Sequence, residues 1–127
     1  MTQNQPYYPG RPIIDSYGNG GFRFADMSHQ GSLLFLPNGV FQWPVSQADR
    51  LSTRDFAPIY SQVKEIDLLL LGLGDVIMAP PETVRVACEA SGVKIEAMTT
   101  GAAVRTYNIL IAEQRPVAAA LIAVSNS

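Results

Sequence analysis

The chain has 127 residues, 47% of them hydrophobic and 16% charged, with a formal net charge of −2. That length fits one domain with a core of its own, the apolar content argues against disorder, and the lack of a basic run argues against a nucleic-acid partner. One cysteine, Cys88, and one histidine, His29, exclude an intrachain disulfide, a cysteine metal cluster and any site built on two histidines.

Residues 1–11 are polar and rich in proline and tyrosine, and read as a flexible N-terminal arm ahead of a single globular domain over 12–127. The N-terminus lacks the basic-then-apolar pattern of a secretory signal, and no stretch reaches the ~18 apolar residues of a membrane helix. The expected location is therefore cytoplasmic, with no integral membrane segment. A transmembrane barrel is disfavoured because the second half reads as helices between buried strands.

The first third reads as two hairpins. Pro12–Ser16 and Phe22–Ala25 are strands around the turn Tyr17–Gly21, where Asn19-Gly20 tolerates positive φ. Met27–Gln30 is a connection that carries His29 on the surface. Ser32–Leu36 and Val40–Trp43 are strands around Pro37-Asn38-Gly39, and Pro44 ends the second. Together they imply an antiparallel layer. Phe35, Phe41 and Trp43 read as packing residues. Ser46–Leu51 is a loop. Ser52 or Thr53 is expected to cap a helix to about Gln62, short or distorted because Pro58 fits only its first turn.

From Ile66 the pattern changes. Ile66–Leu71 is nearly all apolar, as in a strand covered on both faces. After the loop Gly72–Pro80, a helix runs from Pro81 to Ser91, with Val84, Ala87, Cys88 and Ser91 on one face and Gly92 as its stop. Val93–Met98 alternates, with Lys94 and Glu96 outward, and belongs nearer the sheet edge. Met98–Gly101 turns into a helix to about Glu113, and Arg115-Pro116 breaks it. Val117–Ala123 and Val124 read as a central strand. This β-α-β-α-β half calls for parallel strands and right-handed crossovers. The loops Gly72–Pro80 and Met98–Gly101 then open at one end of the sheet.

That shared end carries the candidate site. Thr99, Thr100 and Gly101 at a helix start offer amide groups to an anion, and Arg105 one turn on adds charge. Gly72, Gly74 and Asp75 come from the facing loop, and Asn108 lies further along the helix. The commoner role for Thr100 is a cap, and for Gly101 close packing. An Arg105–Asp75 ion pair across the two loops is the expected structural use of those charges. Gly72-Leu73-Gly74 lacks the third glycine of a dinucleotide loop. No cofactor fingerprint, metal-ligand set or paired nucleophile and base stands out, so neither a cofactor nor a metal is expected. Tyr107 reads as core and Cys88 as inert packing.

The Leu-rich Ile66–Gly74, the Pro80-Pro81 pair and Met98-Thr99-Thr100-Gly101-Ala102-Ala103-Val104-Arg105-Thr106-Tyr107-Asn108 resemble the family of mitochondrial respiratory complex I assembly factor 3 and its small bacterial and archaeal homologues. The resemblance covers residues 12–124. It carries Gly72, Gly74, Thr100, Gly101, Arg105, Thr106, Tyr107 and Asn108 as matching positions, while Thr99 stands where the family often has Asp. It implies a three-layer α/β domain, its mixed central sheet built by the second half, with an added antiparallel β-hairpin layer from the first third. It also implies a non-enzymatic interaction or assembly factor whose protein partners are respiratory-complex subunits or other assembly factors, placed at the inner membrane periphery. The alternative is a small-anion-binding protein or weak enzyme using the two loops. Ile109, turned away from the apolar face of its helix, adds the expectation of a homodimer.

Overall fold

A computed structural model describes residues 6–125. Eight strands and three α-helices follow in order: β1 Ile14–Gly18, β2 Gly21–Phe24, β3 Met27–Gln30, β4 Ser32–Leu36, β5 Gly39–Trp43, α1 Ala57–Tyr60, β6 Leu68–Gly72, α2 Glu82–Ser91, β7 Lys94–Met98, α3 Thr100–Ala112 and β8 Val117–Leu121. One sheet has the order β5-β4-β8-β6-β7, and a smaller antiparallel sheet has the order β1-β2-β3.

In the larger sheet β8 and β7 run parallel to β6, while β4 runs antiparallel to both β8 and β5. The β-α-β-α-β half thus builds the parallel part, with β7 at its edge. The second hairpin completes the same sheet, and the first hairpin alone supplies the extra layer. There Met27–Gln30, expected as a connection, is a third strand. Ala25 and Asp26 turn the chain back with φ of 50° and 61°, so that Phe24 faces Met27. A turn with positive φ and no glycine gave no local signal.

Alternation along the central strands divides the core. Leu34, Leu36, Leu69, Leu71, Ala118 and Ala120 face α1, α2 and the segment between β5 and β6. Leu33, Phe35, Leu70, Val117, Ala119 and Leu121 face α3 and the small sheet. Each face is covered, which is why these strands read as continuous apolar runs. Ala119 keeps the surface of β8 low on that second face, so α3 can lie close. On that side Tyr8, Phe24, Phe35 and Tyr107 form a chain of rings with centroids 5.8, 5.6 and 5.5 Å apart.

The helix expected over residues 52–62 is broken. Thr53–Phe56 and Val63–Glu65 are 3₁₀ turns on either side of the single α-turn α1. Asp55 accepts from the Ser52 N–H at 2.9 Å, which caps the entry, and Trp43 Nε1 donates to the Asp55 carbonyl at 2.8 Å. Of the expected arm, Tyr7 and Tyr8 donate to the Val40 carbonyl, and Val40 donates back to Tyr8. Residues 1–5 lie outside the described residues.

Candidate functional site

The parallel strands end in a shared corner, and Thr100 holds it together. Its side chain is buried. Its Oγ1 donates to the Ile122 carbonyl at 2.7 Å and accepts from the Gly74 N–H at 3.0 Å. Its own N–H donates to the Gly74 carbonyl at 2.8 Å, and Ile122 N–H donates to the Gly72 carbonyl at 2.9 Å. One hydroxyl thus ties the exits of β6 and β8 to the start of α3.

Thr99, not Thr100, caps the helix, its Oγ1 accepting from the Ala102 N–H at 3.3 Å. Ala103 N–H donates to the Thr99 carbonyl at 2.9 Å. The amides of Thr100, Ala102 and Ala103 are therefore engaged within the protein, which leaves α3 fewer free donors for an anion than the turn suggests. Thr100 is better hydrogen-bonded as a tie between segments than it would be as a cap, and that buried network decides the arrangement.

The glycines serve close approach. A Cβ at Gly72 would meet Leu121 Cδ2 and Thr100 Cα, each at 3.0 Å, so α3 rests directly on β6. At Gly101 a side chain would collide with the Tyr17 hydroxyl. Gly74 has open space around it but a φ of +108°, which favours glycine.

Beside this corner lies a cavity of about 200 Å³ lined by Tyr17, Gly74, Asp75, Thr99, Gly101, Arg105 and Val124. Five of the expected site residues, Gly74, Asp75, Thr99, Gly101 and Arg105, thus come together. Gly72 and Thr100 lie beneath them in the corner's packing. Asn108 does not join the group. Its side-chain amide exchanges two hydrogen bonds of 2.8 Å with the backbone of Ile14, because a half-buried amide beside an edge strand finds its partners there. The expected Arg105–Asp75 ion pair is also not formed. Among the described residues the ion pairs join Arg85 to Glu82 and Glu89, on the outer face of α2. Tyr17, read only as a turn residue, was missed, since its contact with Gly101 spans 84 positions.

Among the described residues no three His, Cys, Asp or Glu side chains converge on a point that could hold a metal. The cavity offers one exposed carboxylate, one exposed guanidinium and a phenol. Tyr107 lies apart in the core, where burial pushes its hydroxyl up to about 12, with Arg11 nearby pulling the other way. His29, half-buried on β3 with Tyr7 edge-on to its ring, has its pKa lowered by burial.

The loop leaving the corner exposes apolar side chains in sequence: Val76 at 62%, Ile77 at 85% and Met78 at 40%. Met78 also lines a second cavity of about 360 Å³, between this loop and residues 46–49. Gly74 and Asp75 border both cavities. From the sequence this segment shows only a loop between β6 and α2. Among the described residues no helix is long and apolar enough to cross a membrane.

Comparison with known proteins agrees with this architecture. An uncharacterised Rhodobacter capsulatus protein is 37% identical over 96% of this chain and 93% of its own length. The mouse NADH dehydrogenase [ubiquinone] 1 alpha subcomplex assembly factor 3 is 29% identical over 93% of this chain, which spans 64% of that protein's length. A crystal structure described as an outer membrane protein from Bartonella henselae superposes with a TM-score of 0.89 at 43% identity, covering 93% of this chain and 99% of that one. Residues 14–122 match the family described as protein of unknown function DUF498/DUF598, which takes in nearly the whole folded region, and the chain belongs to that family.

Proposed function

We propose that the protein is a non-enzymatic assembly factor that uses the Val76–Met78 loop to engage a subunit of a respiratory membrane complex or another assembly factor. The observation that carries this reading is three consecutive exposed apolar side chains on the loop that leaves the Thr100 corner. Contiguous apolar exposure is uncommon on a protein with no partner. The likeness to assembly factor 3 of NADH dehydrogenase supports the class of target. The protein then works at the membrane periphery, on the cytoplasmic side.

The test is complementation in a strain deleted for the gene of the 37%-identical Rhodobacter capsulatus relative. NADH dehydrogenase content of the membranes should fall on deletion and return with the wild-type gene. A folded variant carrying Val76→Ser, Ile77→Ser and Met78→Ser should fail to restore it. Full assembly in the deletion strain would overturn the reading, and full rescue by the variant would remove the loop from it.

We keep as a second reading the binding of a small anion in the 200 Å³ cavity, where Arg105 lies beside Thr99 and Gly101 and Asp75 is the opposing charge. Titration with inorganic phosphate and with citrate, followed by amide NMR, should give saturable shifts at residues 99–105 that Arg105→Ala abolishes. Absence of saturation, or shifts unchanged by the substitution, would remove it.

A further inference from the structure

The two edges of the five-stranded sheet are treated differently. On the far side the Tyr7–Tyr8 segment covers β5 through Val40. On the near side β7 pairs only with β6 among the described residues. The Met98 carbonyl accepts from Leu73 N–H, so Met98 turns its polar backbone toward β6. Since backbone direction alternates along a strand, Glu96 and Lys94 turn the same way, whereas Ile95 and Ala97 aim their N–H and C=O groups outward. An edge with outward donors and acceptors is a template for another strand.

The side chains single out what fits there. Lys94 and Glu96 are exposed and share one face of β7, with opposite charges. In an antiparallel pair of two copies related by a two-fold axis, three registers are available near the strand centre. Centring on Glu96 opposes two carboxylates. Centring on Ala97 opposes Glu96 to Met98. Centring on Ile95 makes Ile95 the hydrogen-bonded pair and sets each Lys94 opposite the other copy's Glu96. Those positions are then the non-hydrogen-bonded pairs, whose side chains come closest. Charged side chains such as these ordinarily guard an edge against pairing, as proline and bulges do. Here the charges are self-complementary.

We infer that β7 is a self-association edge: two copies of this chain join antiparallel through β7, with the two-fold axis at Ile95 and two Lys94–Glu96 pairs across it. The sheet would then continue through ten strands. This goes beyond the assembly reading and places self-association at β7 rather than at Ile109, which is exposed on the outer side of α3.

The test is sedimentation of the full chain between micromolar and a few hundred micromolar. The wild type should dimerise. Ala97→Pro removes an outward N–H that β6 does not use, and should give a monomer with wild-type circular dichroism. Lys94→Glu alone and Glu96→Lys alone should each weaken the dimer by about tenfold or more, since both cross-strand pairs become like-charged. An equimolar mixture of those two variants should restore it, because each Glu then faces a Lys. A wild type monomeric throughout, a dimer unchanged in a folded Ala97→Pro variant, or a mixture no tighter than its components would each overturn the inference.

Discussion

Asn108 and Ile14 are joined by a closed pair of hydrogen bonds: Ile14 N–H donates to Asn108 Oδ1 and Asn108 Nδ2 donates to the Ile14 carbonyl, both at 2.8 Å. The side-chain amide imitates a strand neighbour for β1. It locks the small sheet to α3 across 94 positions of sequence. Asn108→Leu would leave a half-buried N–H and carbonyl on Ile14 without partners, at a cost of about 2–4 kcal/mol. Urea unfolding measures it. Hydrogen exchange should show the added loss of protection concentrated in β1–β3, with β6 and β8 opening only with the whole protein.

The two threonines at the start of α3 should differ sharply. Thr100→Val orphans the Gly74 N–H and the Ile122 carbonyl in a buried corner, and should destabilise by about 2–4 kcal/mol. Thr99→Ala removes one long capping bond, and should cost about 0.5–1 kcal/mol. A reversed order in equilibrium unfolding would mean that Thr100 does not act as the tie between β6 and β8.

Gly72 and Gly92 separate steric from conformational need. At Gly72 the added methyl meets Thr100 Cα and Leu121 Cδ2, each at 3.0 Å, and Ala103 Cβ at 3.3 Å. Gly72→Ala should cost about 1–3 kcal/mol through overpacking. Gly92 has open space but a φ of +94° at the end of α2. Gly92→Ala should cost about 1–2 kcal/mol through backbone strain. Ala103→Gly should recover part of the Gly72→Ala loss and none of the Gly92→Ala loss in a double-mutant comparison.

These positions also mark how far the sequence could be read. The apolar runs Leu68–Leu71 and Val117–Leu121 revealed buried strands, because a strand covered on both faces has no polar side to show. Lys94 and Glu96 placed β7 at the edge by the same logic reversed. The strand Met27–Gln30 was hidden, since its turn uses Ala25 and Asp26 at positive φ, which any coding for glycine would have announced. At the site, Gly72, Gly74 and Thr99–Arg105 were legible as a strand–turn–helix junction. The partition of roles between Thr99 and Thr100, and the diversion of Asn108 to Ile14, depend on segments far off in sequence. So does Tyr17, brought to Gly101 by the packing of β1 on α3.

Cys88 is fully buried on α2, and burial pushes its thiol up, with Tyr60 nearby pulling it the other way. Reaction requires the thiolate and an approach path, and the folded state withholds both. A thiol reagent at pH 8 should label the native protein at least about a hundredfold more slowly than the urea-unfolded chain, with the native rate following the unfolded fraction as stability is lowered. Rapid labelling without denaturant would mean that α2 opens locally.

Alkaline pH should unfold the protein early, and Tyr107 supplies the reason. Among the described residues no group meets its buried hydroxyl in hydrogen-bond geometry, although the Arg11 guanidinium lies nearby, and burial raises its pKa from 10.0 to about 12, Arg11 opposing. Because the folded-state value is the higher one, the unfolded chain loses its proton first as pH rises. The contribution is fully present below about pH 10 and is lost as pH climbs to about 12, a loss of roughly 2–3 kcal/mol from this group. Tyr60 is also raised to about 12, by burial first and then by Cys88, but it is more exposed and solvent screening shrinks its share. Tyr107→Phe removes both the ionisable proton and the buried oxygen while keeping the ring on Phe35. Stability at pH 7 should therefore hold or rise slightly, and the fall between pH 10 and 12 should become markedly shallower than in the wild type. Urea midpoints across that range decide it: an alkaline fall equally steep in the variant would mean that another group unfolds the protein.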